Sequence, residues 1–152
     1  MNAPGLLPIR YPQEVPPGEG EAIEIADGVL WLRLPLPMAL NHVNIFALDD
    51  GDGWTVIDTG LSSKRTRATW TALMQSGPLS GKPVRRVILT HHHPDHVGLV
   101  GWFQSQHGAE LVTSRTAWLY SRMLTLDEQV EWPAETLDFY RAAGMAPEIY
   151  EK

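Results

Sequence analysis

The chain has 152 residues, a length that suits one domain of ordinary size. Hydrophobic residues make up 43% and charged residues 20% of the sequence, which is typical of globular rather than disordered protein. The net charge of −6 argues against a nucleic-acid partner, because such partners usually require a basic surface. The chain contains no cysteine, so its own residues form no disulfide and no thiolate metal site.

The N-terminal segment is rich in proline. We interpret residues 1–20 as an extended arm, with packing across the domain surface as the alternative; its prolines are Pro4, Pro8, Pro12, Pro16 and Pro17. No basic start is followed by an apolar run, which argues against a secretory signal. No run of about 18 apolar residues occurs, so we predict a cytoplasmic protein with no membrane partner.

Strands are predicted in the first part of the remaining chain. Each is a short apolar or alternating stretch bounded by turn residues, and they cover residues 22–25, 29–34, 43–48 and 54–58. The turn sequence DDGDG separates the last two strands. These two strands are therefore predicted to pair as an antiparallel hairpin.

Helices and strands alternate after this hairpin. Ser62 or Ser63 is a candidate N-cap for a helix that runs to about residue 75. The further predicted elements are a strand over 84–90, a helix over 97–107, a strand over 111–113 and helices over 115–124 and 133–143. The alternation predicts an α/β fold.

A histidine cluster follows the strand over 84–90. Residues 90–98 read THHHPDHVG, and imidazole and carboxylate are the ligands that zinc and similar divalent metals prefer where cysteine is absent. His91 and His93 project to the same side of extended chain, which Pro94 favours at the preceding residue. Asp95 and His96 lie where strand turns into helix and are placed to face a second ion. The alternative is an exposed polar loop or a purification-type histidine run, although a terminal tag would not lie between a buried strand and an amphipathic helix.

The segment THHHPDH resembles the T-H-x-H-x-D-H signature of the metallo-β-lactamase superfamily. The order of elements over about residues 22–113 is also similar to the N-terminal half of that fold. The resemblance implies an α/β (α+β) protein that forms the N-terminal half of an αβ/βα sandwich, with a mixed sheet, flanking helices and extra C-terminal helices. We expect a half domain over residues 21–113 and a helical segment over 114–152 that continues in a longer protein.

The resemblance also implies a role for each residue of the cluster. His91 and His93 would bind one metal ion, and Asp95 and His96 a second. Asp95 would also be catalytic, because it orients the attacking water and accepts or passes a proton. The implied cofactor is a pair of zinc ions, with iron or manganese possible. The implied activity is that of the glyoxalase II-like, two-metal branch, which hydrolyses an ester, thioester, lactone or similar bond of a small molecule.

Three residues outside the cluster are also candidates for a role at the metal site. By the resemblance, Asp58 in the segment DTG braces the metal-binding loop rather than ligating, and the alternative is a turn aspartate. His42 is a weaker candidate that could face the metal cleft, although a loop residue is the favoured interpretation. His107 would lie at the end of a helix, about 16 Å along its axis from His96, too far to join the cluster.

The family's site requires a third His, a bridging Asp and a last His, and we find none of them in this sequence. We therefore expect a metal-dependent hydrolase of which this chain is an incomplete, inactive N-terminal portion. The alternative is a non-catalytic metal-binding or interaction module that keeps only the first histidine cluster. An isolated half of the sandwich would expose an apolar sheet face, so we also expect self-association or low stability.

Overall fold

The computed structural model describes residues 12–126 and 131–150. Residues 1–11 of the predicted arm, and residues 127–130, 151 and 152 of the predicted helical segment, lie outside the described residues. The chain divides into two compact units, residues 1–121 and residues 122–152. Among the described residues, no helix combines the length and the hydropathy needed to cross a bilayer.

One mixed sheet forms the centre of the first unit. Its six strands lie in sequence order and are β1 (Ala22–Ala26), β2 (Val29–Pro35), β3 (His42–Asp49), β4 (Trp54–Ile57), β5 (Val84–Leu89) and β6 (Glu110–Thr113). Strands β1 to β4 pair antiparallel, and β4–β5 and β5–β6 pair parallel. The predicted hairpin of β3 and β4 and the predicted mixed sheet are confirmed.

Helices flank the sheet and follow it in the chain. They are α1 (Lys64–Gln75), α2 (Pro94–Val97), α3 (Val100–His107), α4 (Arg115–Leu126), α5 (Ala134–Ala142) and α6 (Pro147–Tyr150). Ser63 is the N-cap of α1, because its Oγ accepts a hydrogen bond from the amide of Thr66 at 3.0 Å. An N-cap of this kind satisfies one of the amides that a helix start leaves unpaired. The predicted cap and the predicted helices after residue 114 are confirmed.

The hydrophobic core lies between the sheet and helices α1 and α3. Alternate residues of the strands point toward these helices, and Leu32, Ile45 and Val56 are fully buried there. Trp70 of α1 meets Phe103 of α3 edge to face, with ring centroids 5.0 Å apart. Both helices therefore pack on the same face of the sheet, which we call the covered face.

The opposite face of the sheet also carries apolar side chains. The pairing register places Trp31, Phe46, Ile57, Ile88 and Val112 side by side across β2 to β6. The first four are only partly buried, and Val112 is exposed. We call this surface the open face.

The helix predicted over 97–107 is interrupted in the structure. Helix α2 ends at Val97 and α3 begins at Val100, because the intervening residues are held by the segment after β4. A Cβ added to Gly98 would lie 2.5 Å from the amide nitrogen of Ser62, and the amide of Leu99 donates to the hydroxyl of Thr59 at 3.0 Å. The predicted helix is confirmed over Val100–His107, but it begins three residues later than predicted because the amide of Leu99 bonds Thr59 instead of a helical carbonyl.

The second unit contains α5 and α6. Pro133 precedes the first turn of α5, a position that favours proline since the amide there has no helical partner. The rings of Trp132 and Tyr140 meet edge to face at 5.7 Å. Arg141 pairs with Asp138 at 3.0 Å, one turn away on the same helix.

Candidate metal centre

The candidate site lies at one edge of the sheet. Strands β4 and β5 are parallel, so their carboxyl ends meet at this edge, where ligands bind in open sheets. Asp58 follows β4 directly, and residues 90–96 follow β5. The fold therefore brings together two segments that are more than 30 residues apart in sequence.

Asp58 holds the two segments together. Its side chain is buried, and its Oδ1 accepts a hydrogen bond from the amide of Thr90 at 2.8 Å. Its Oδ2 accepts from the Thr90 hydroxyl at 2.7 Å and pairs with Nδ1 of His96 at 2.8 Å. Asp58 also has a φ of 64°, a left-handed conformation that costs energy for a residue with a Cβ. The three hydrogen bonds offset that cost and keep the carboxylate aimed at the histidine loop.

The same hydrogen bonds select the tautomer of two histidines. Since Asp58 accepts from His96, the proton of His96 is on Nδ1 and its Nε2 lone pair is free. Nδ1 of His91 lies 2.9 Å from the Thr90 hydroxyl oxygen, which already gives its own proton to Asp58. Nδ1 of His91 is therefore the donor, and its Nε2 is free as well. A ligating histidine usually has its second ring nitrogen fixed in this manner.

The predicted ligands lie in one neighbourhood. The ring centroid of His91 is 4.0 Å from that of His96 and 4.5 Å from that of His93. The Asp95 carboxylate lies 3.4 Å from Nε2 of His96. Ligand atoms of Asp58, His91 and His96 all fall within 4.8 Å of one another. Among the described residues, this group of potential ligands includes neither His93 nor Asp95.

Distance alone would count Asp58 among the ligands. Its two oxygens, however, already accept three hydrogen bonds, and moving them to a metal would leave buried donors unpaired. The hydrogen bonding thus fits a bracing role better than ligation.

Burial and like charge lower the pKa of His91. The largest cause is removal of the ring from water, followed by the neighbouring His96 and His93. The carboxylates of Asp58 and Asp95 act in the opposite direction but do not outweigh these causes. A lowered pKa keeps the imidazole neutral near pH 7, which is the form that binds a metal ion.

Thr59 fixes the backbone of the loop from the covered face. Its hydroxyl donates to the carbonyl of His96 at 2.8 Å and accepts from the amide of Leu99. Its carbonyl accepts from Nε1 of Trp70 at 2.8 Å, which ties the loop to the hydrophobic core. Sequence reasoning did not assign a role to Thr59; its place within the segment DTG was the available indication.

The remaining histidines are held elsewhere. His92 stacks on Tyr120, with ring centroids 5.0 Å apart. His42 begins β3 and contacts Arg33 and Asn41; it is absent from the group of potential ligands found among the described residues. His107 ends α3 against the rings of Trp102 and Phe103, and burial lowers its pKa. Its position at the helix end agrees with the prediction.

The donor set fits a divalent cation. His91 and His96 each direct Nε2 into the cluster, and Asp95 offers a partly exposed carboxylate beside them. Imidazole and carboxylate together suit zinc, iron or manganese. The residues that would hold such an ion are thus supplied by the loop after β5, with Asp58 bracing them from β4.

Known proteins are similar to part of this chain. The family profile described as "Metallo-beta-lactamase superfamily" matches residues 39–144. Among curated relatives, "Probable metallo-hydrolase YqjP" of Bacillus subtilis (strain 168) is 31% identical over 53% of this chain. "Linear primary-alkylsulfatase" of Pseudomonas sp. (strain ATCC 19151) is 33% identical over 52% of this chain.

Solved structures share the fold. A beta-lactamase domain protein from Burkholderia ambifaria superposes with a TM-score of 0.69 and 36% identity, over 76% of this chain and 37% of its own. This chain spans 25% of the Bacillus protein and 14% of the sulfatase, so it corresponds to a minor part of each relative's length. The six-stranded mixed sheet, the histidine loop and the family profile lead to one conclusion: the chain belongs to the metallo-beta-lactamase superfamily.

Proposed function

We propose that this chain supplies half of the active site of a metal-dependent hydrolase. The observation that carries the proposal is the hydrogen-bond network of Asp58, which leaves the Nε2 atoms of His91 and His96 free in a single cluster. A network that sets the tautomer of two neighbouring imidazoles around a buried carboxylate is costly to assemble. Metal binding accounts for that cost better than a purely structural role does.

Each residue of the loop has a proposed task. His91 and His93 bind one ion, and Asp95 and His96 bind a second. A divalent ion bound here would supply Lewis-acid activation of water and of the substrate oxygen. The carboxylate of Asp95, 3.4 Å from His96, orients the attacking water and takes its proton. Asp58 keeps His96 in the tautomer that this arrangement needs.

We infer that the complete site draws on residues beyond this cluster. Among the described residues, His42 and His107 are held by other partners, so neither adds a nitrogen to the cluster. A three-residue protein ligand set per ion is usual for a catalytic zinc site. The chain alone is therefore expected to bind metal and to lack hydrolase activity.

The substrate class is proposed more broadly. We expect a small molecule with an ester, thioester, lactone or similar bond, since activated water attacks all of these. The name of the Pseudomonas relative extends the candidate bonds to sulfate esters. The second candidate function, a non-catalytic metal-binding or interaction module, predicts the same metal affinity but no activity in any longer form of the protein.

Metal content after substitution tests the ligand assignment. Zinc bound to the purified chain is measured by elemental analysis and by competition with a chromophoric chelator. His91→Ala and His96→Ala are expected to lower zinc affinity by at least about tenfold, because each removes a ligand. His92→Ala is the matched control, since its ring belongs to the same loop but stacks on Tyr120. Equal losses in His91→Ala and His92→Ala would contradict the assignment.

Activity is tested separately on the full product of the gene that encodes this chain. Hydrolysis of a panel of p-nitrophenyl esters, thioesters, lactones and sulfate esters is compared with and without zinc. Activity that requires zinc, is lost in His91→Ala and is kept in His92→Ala supports the hydrolase. Stoichiometric zinc with no turnover of any substrate favours the non-catalytic module.

A further inference from the structure

A second cleft lies apart from the histidine loop, at the free edge of β2. Strand β1 pairs with β2 only as far as Leu32, so the end of β2 continues past its neighbour. The cleft beside this end has a volume of about 440 Å³. Its polar lining comprises Glu19, Arg33, Asn41, His42 and Arg65.

Arg33 is the unusual member of this lining. Its Nε is buried and makes no hydrogen bond, and one terminal nitrogen contacts Nε2 of His42. Among the described residues it forms no ion pair with a carboxylate. A buried donor on a charged group without a partner is costly. We therefore expect a hydrogen-bond acceptor to bind beside Arg33.

The neighbours of Arg33 leave its charge uncompensated. Nδ1 of His42 bonds Oδ1 of Asn41 at 2.7 Å, and burial together with the charge of Arg33 lowers the pKa of His42. His42 is therefore neutral near pH 7. Glu19 pairs with Arg65 at 3.0 Å through Nε, so these two charges offset each other. The cleft keeps one net positive charge on a chain whose total charge is −6.

We propose that this cleft binds the oxyanion group of a small ligand, through the guanidinium of Arg33. The guanidinium offers Nε and a terminal nitrogen as two parallel donors, a geometry that matches carboxylate and phosphate. Turning from His42 toward an oxyanion satisfies the orphaned Nε and supplies the missing counter-charge. The proposal rests on this cleft alone and does not depend on metal binding at the histidine loop.

NMR titration of the chain tests the proposal. The chain is labelled with ¹⁵N-arginine, treated with chelator and titrated with sodium acetate or inorganic phosphate at constant ionic strength. The Nε–H resonance of Arg33 is expected to shift with a saturable dependence on each anion, while Arg85 does not. Arg85 is the internal control because it is exposed and pairs with Asp52 elsewhere on the sheet. A linear, unsaturated shift of all arginines would overturn the proposal.

Two variants complete the design. Arg33→Lys keeps the charge but loses the two-donor fork, and we expect its dissociation constant for acetate to rise at least about fivefold. Arg85→Lys is the matched control and should leave binding unchanged; binding is followed by isothermal calorimetry, which needs no arginine label. Binding that survives Arg33→Lys unaltered, or that follows His91→Ala instead, would refute an Arg33 site. If binding at Arg33 increases with protein concentration, the group that accepts its hydrogen bonds belongs to another copy of the chain. That result would also refute the proposal.

Discussion

The two faces of the sheet differ in how far the chain itself buries them. On the covered face Leu32, Ile45 and Val56 are shielded completely by α1 and α3. On the open face Phe46 and Ile57, which come from the same strands, remain partly exposed. Apolar residues on both faces are typical of a sheet that is packed on both sides. Within the described part of the first unit, helices therefore cover one face of the sheet and leave the apolar side chains of the other face partly exposed.

The candidate site takes its rigidity from the covered face. Thr59 bonds the histidine loop and accepts a hydrogen bond from Trp70, whose ring lies in the core. The loop is therefore fixed even though the open face lacks a packing layer within the described part of the first unit. Stability and site geometry should accordingly respond to substitutions on the covered face, and association should respond to the open face.

The largest expected effect is a difference in the free energy of unfolding between substitutions on the covered face and on the open face. Trp70→Ala removes a fully buried ring and its hydrogen bond to Thr59, and we expect it to lower the free energy of unfolding by about 3–5 kcal/mol. Phe46→Ala on the open face should cost about 1 kcal/mol or less, because a partly exposed ring loses less burial. Urea unfolding followed by far-UV circular dichroism measures both. Similar losses in the two variants would show that the faces are equally packed.

The second prediction concerns zinc affinity and tests whether Asp58 braces the histidine loop. Asp58→Asn places an amide NH₂ against donors that the carboxylate now accepts from Thr90 and His96. We expect zinc affinity to fall about 10–100-fold, the usual cost of losing a bracing partner. The ¹⁵N shifts of His96 should report a changed tautomer. Asp49→Asn is the control, since its carboxylate is paired with Lys82 on the surface; an equal loss there would exclude a specific role for Asp58.

Part of this arrangement follows from the sequence. The Ser63 cap, the β3–β4 hairpin and the placement of Asp58 beside the histidine loop depend on short patterns or on the family motif. The left-handed backbone of Asp58 and the break at Gly98 depend instead on close approach between segments separated by more than 30 residues. The contact of Arg33 with His42 likewise depends on the register of β2 with β3. Local periodicity carries no information on such contacts.

A third prediction concerns association through the open face. We expect the chain to self-associate, because apolar side chains of β2 to β6 form a contiguous, partly exposed surface. Phe46→Lys puts a charge within that surface and should weaken association by about tenfold or more, since a buried unpaired charge is costly. Sedimentation equilibrium measures the change. Gln75→Lys on the exposed side of α1 is the control for added charge, and a monomeric parent chain would contradict the prediction.

The smallest effect concerns the segment that extends the covered face at α1. Pro17 is buried, and Glu19 accepts hydrogen bonds from Arg65 and Thr69 of α1. The hydrogen bond from Arg65 is the largest cause that holds the pKa of Glu19 below its ordinary value. A carboxyl whose pKa is lower in the folded state stabilises the fold above its unfolded pKa. That contribution is lost as pH falls through the folded pKa.

Thermal unfolding between pH 7 and pH 3 should therefore show a small stability difference between the parent chain and Glu19→Gln that diminishes as the pH falls. The pair is largely exposed, so the difference should also shrink at high ionic strength, where screening weakens surface charges. Glu24→Gln is the control, because Glu24 bonds only the nearby amide of Gly28 on the β1–β2 turn. If the stability difference between the parent chain and Glu19→Gln persists unchanged at pH 3, the charge of Glu19 does not cause it. The packing of Pro17 would then hold this segment through apolar contact alone.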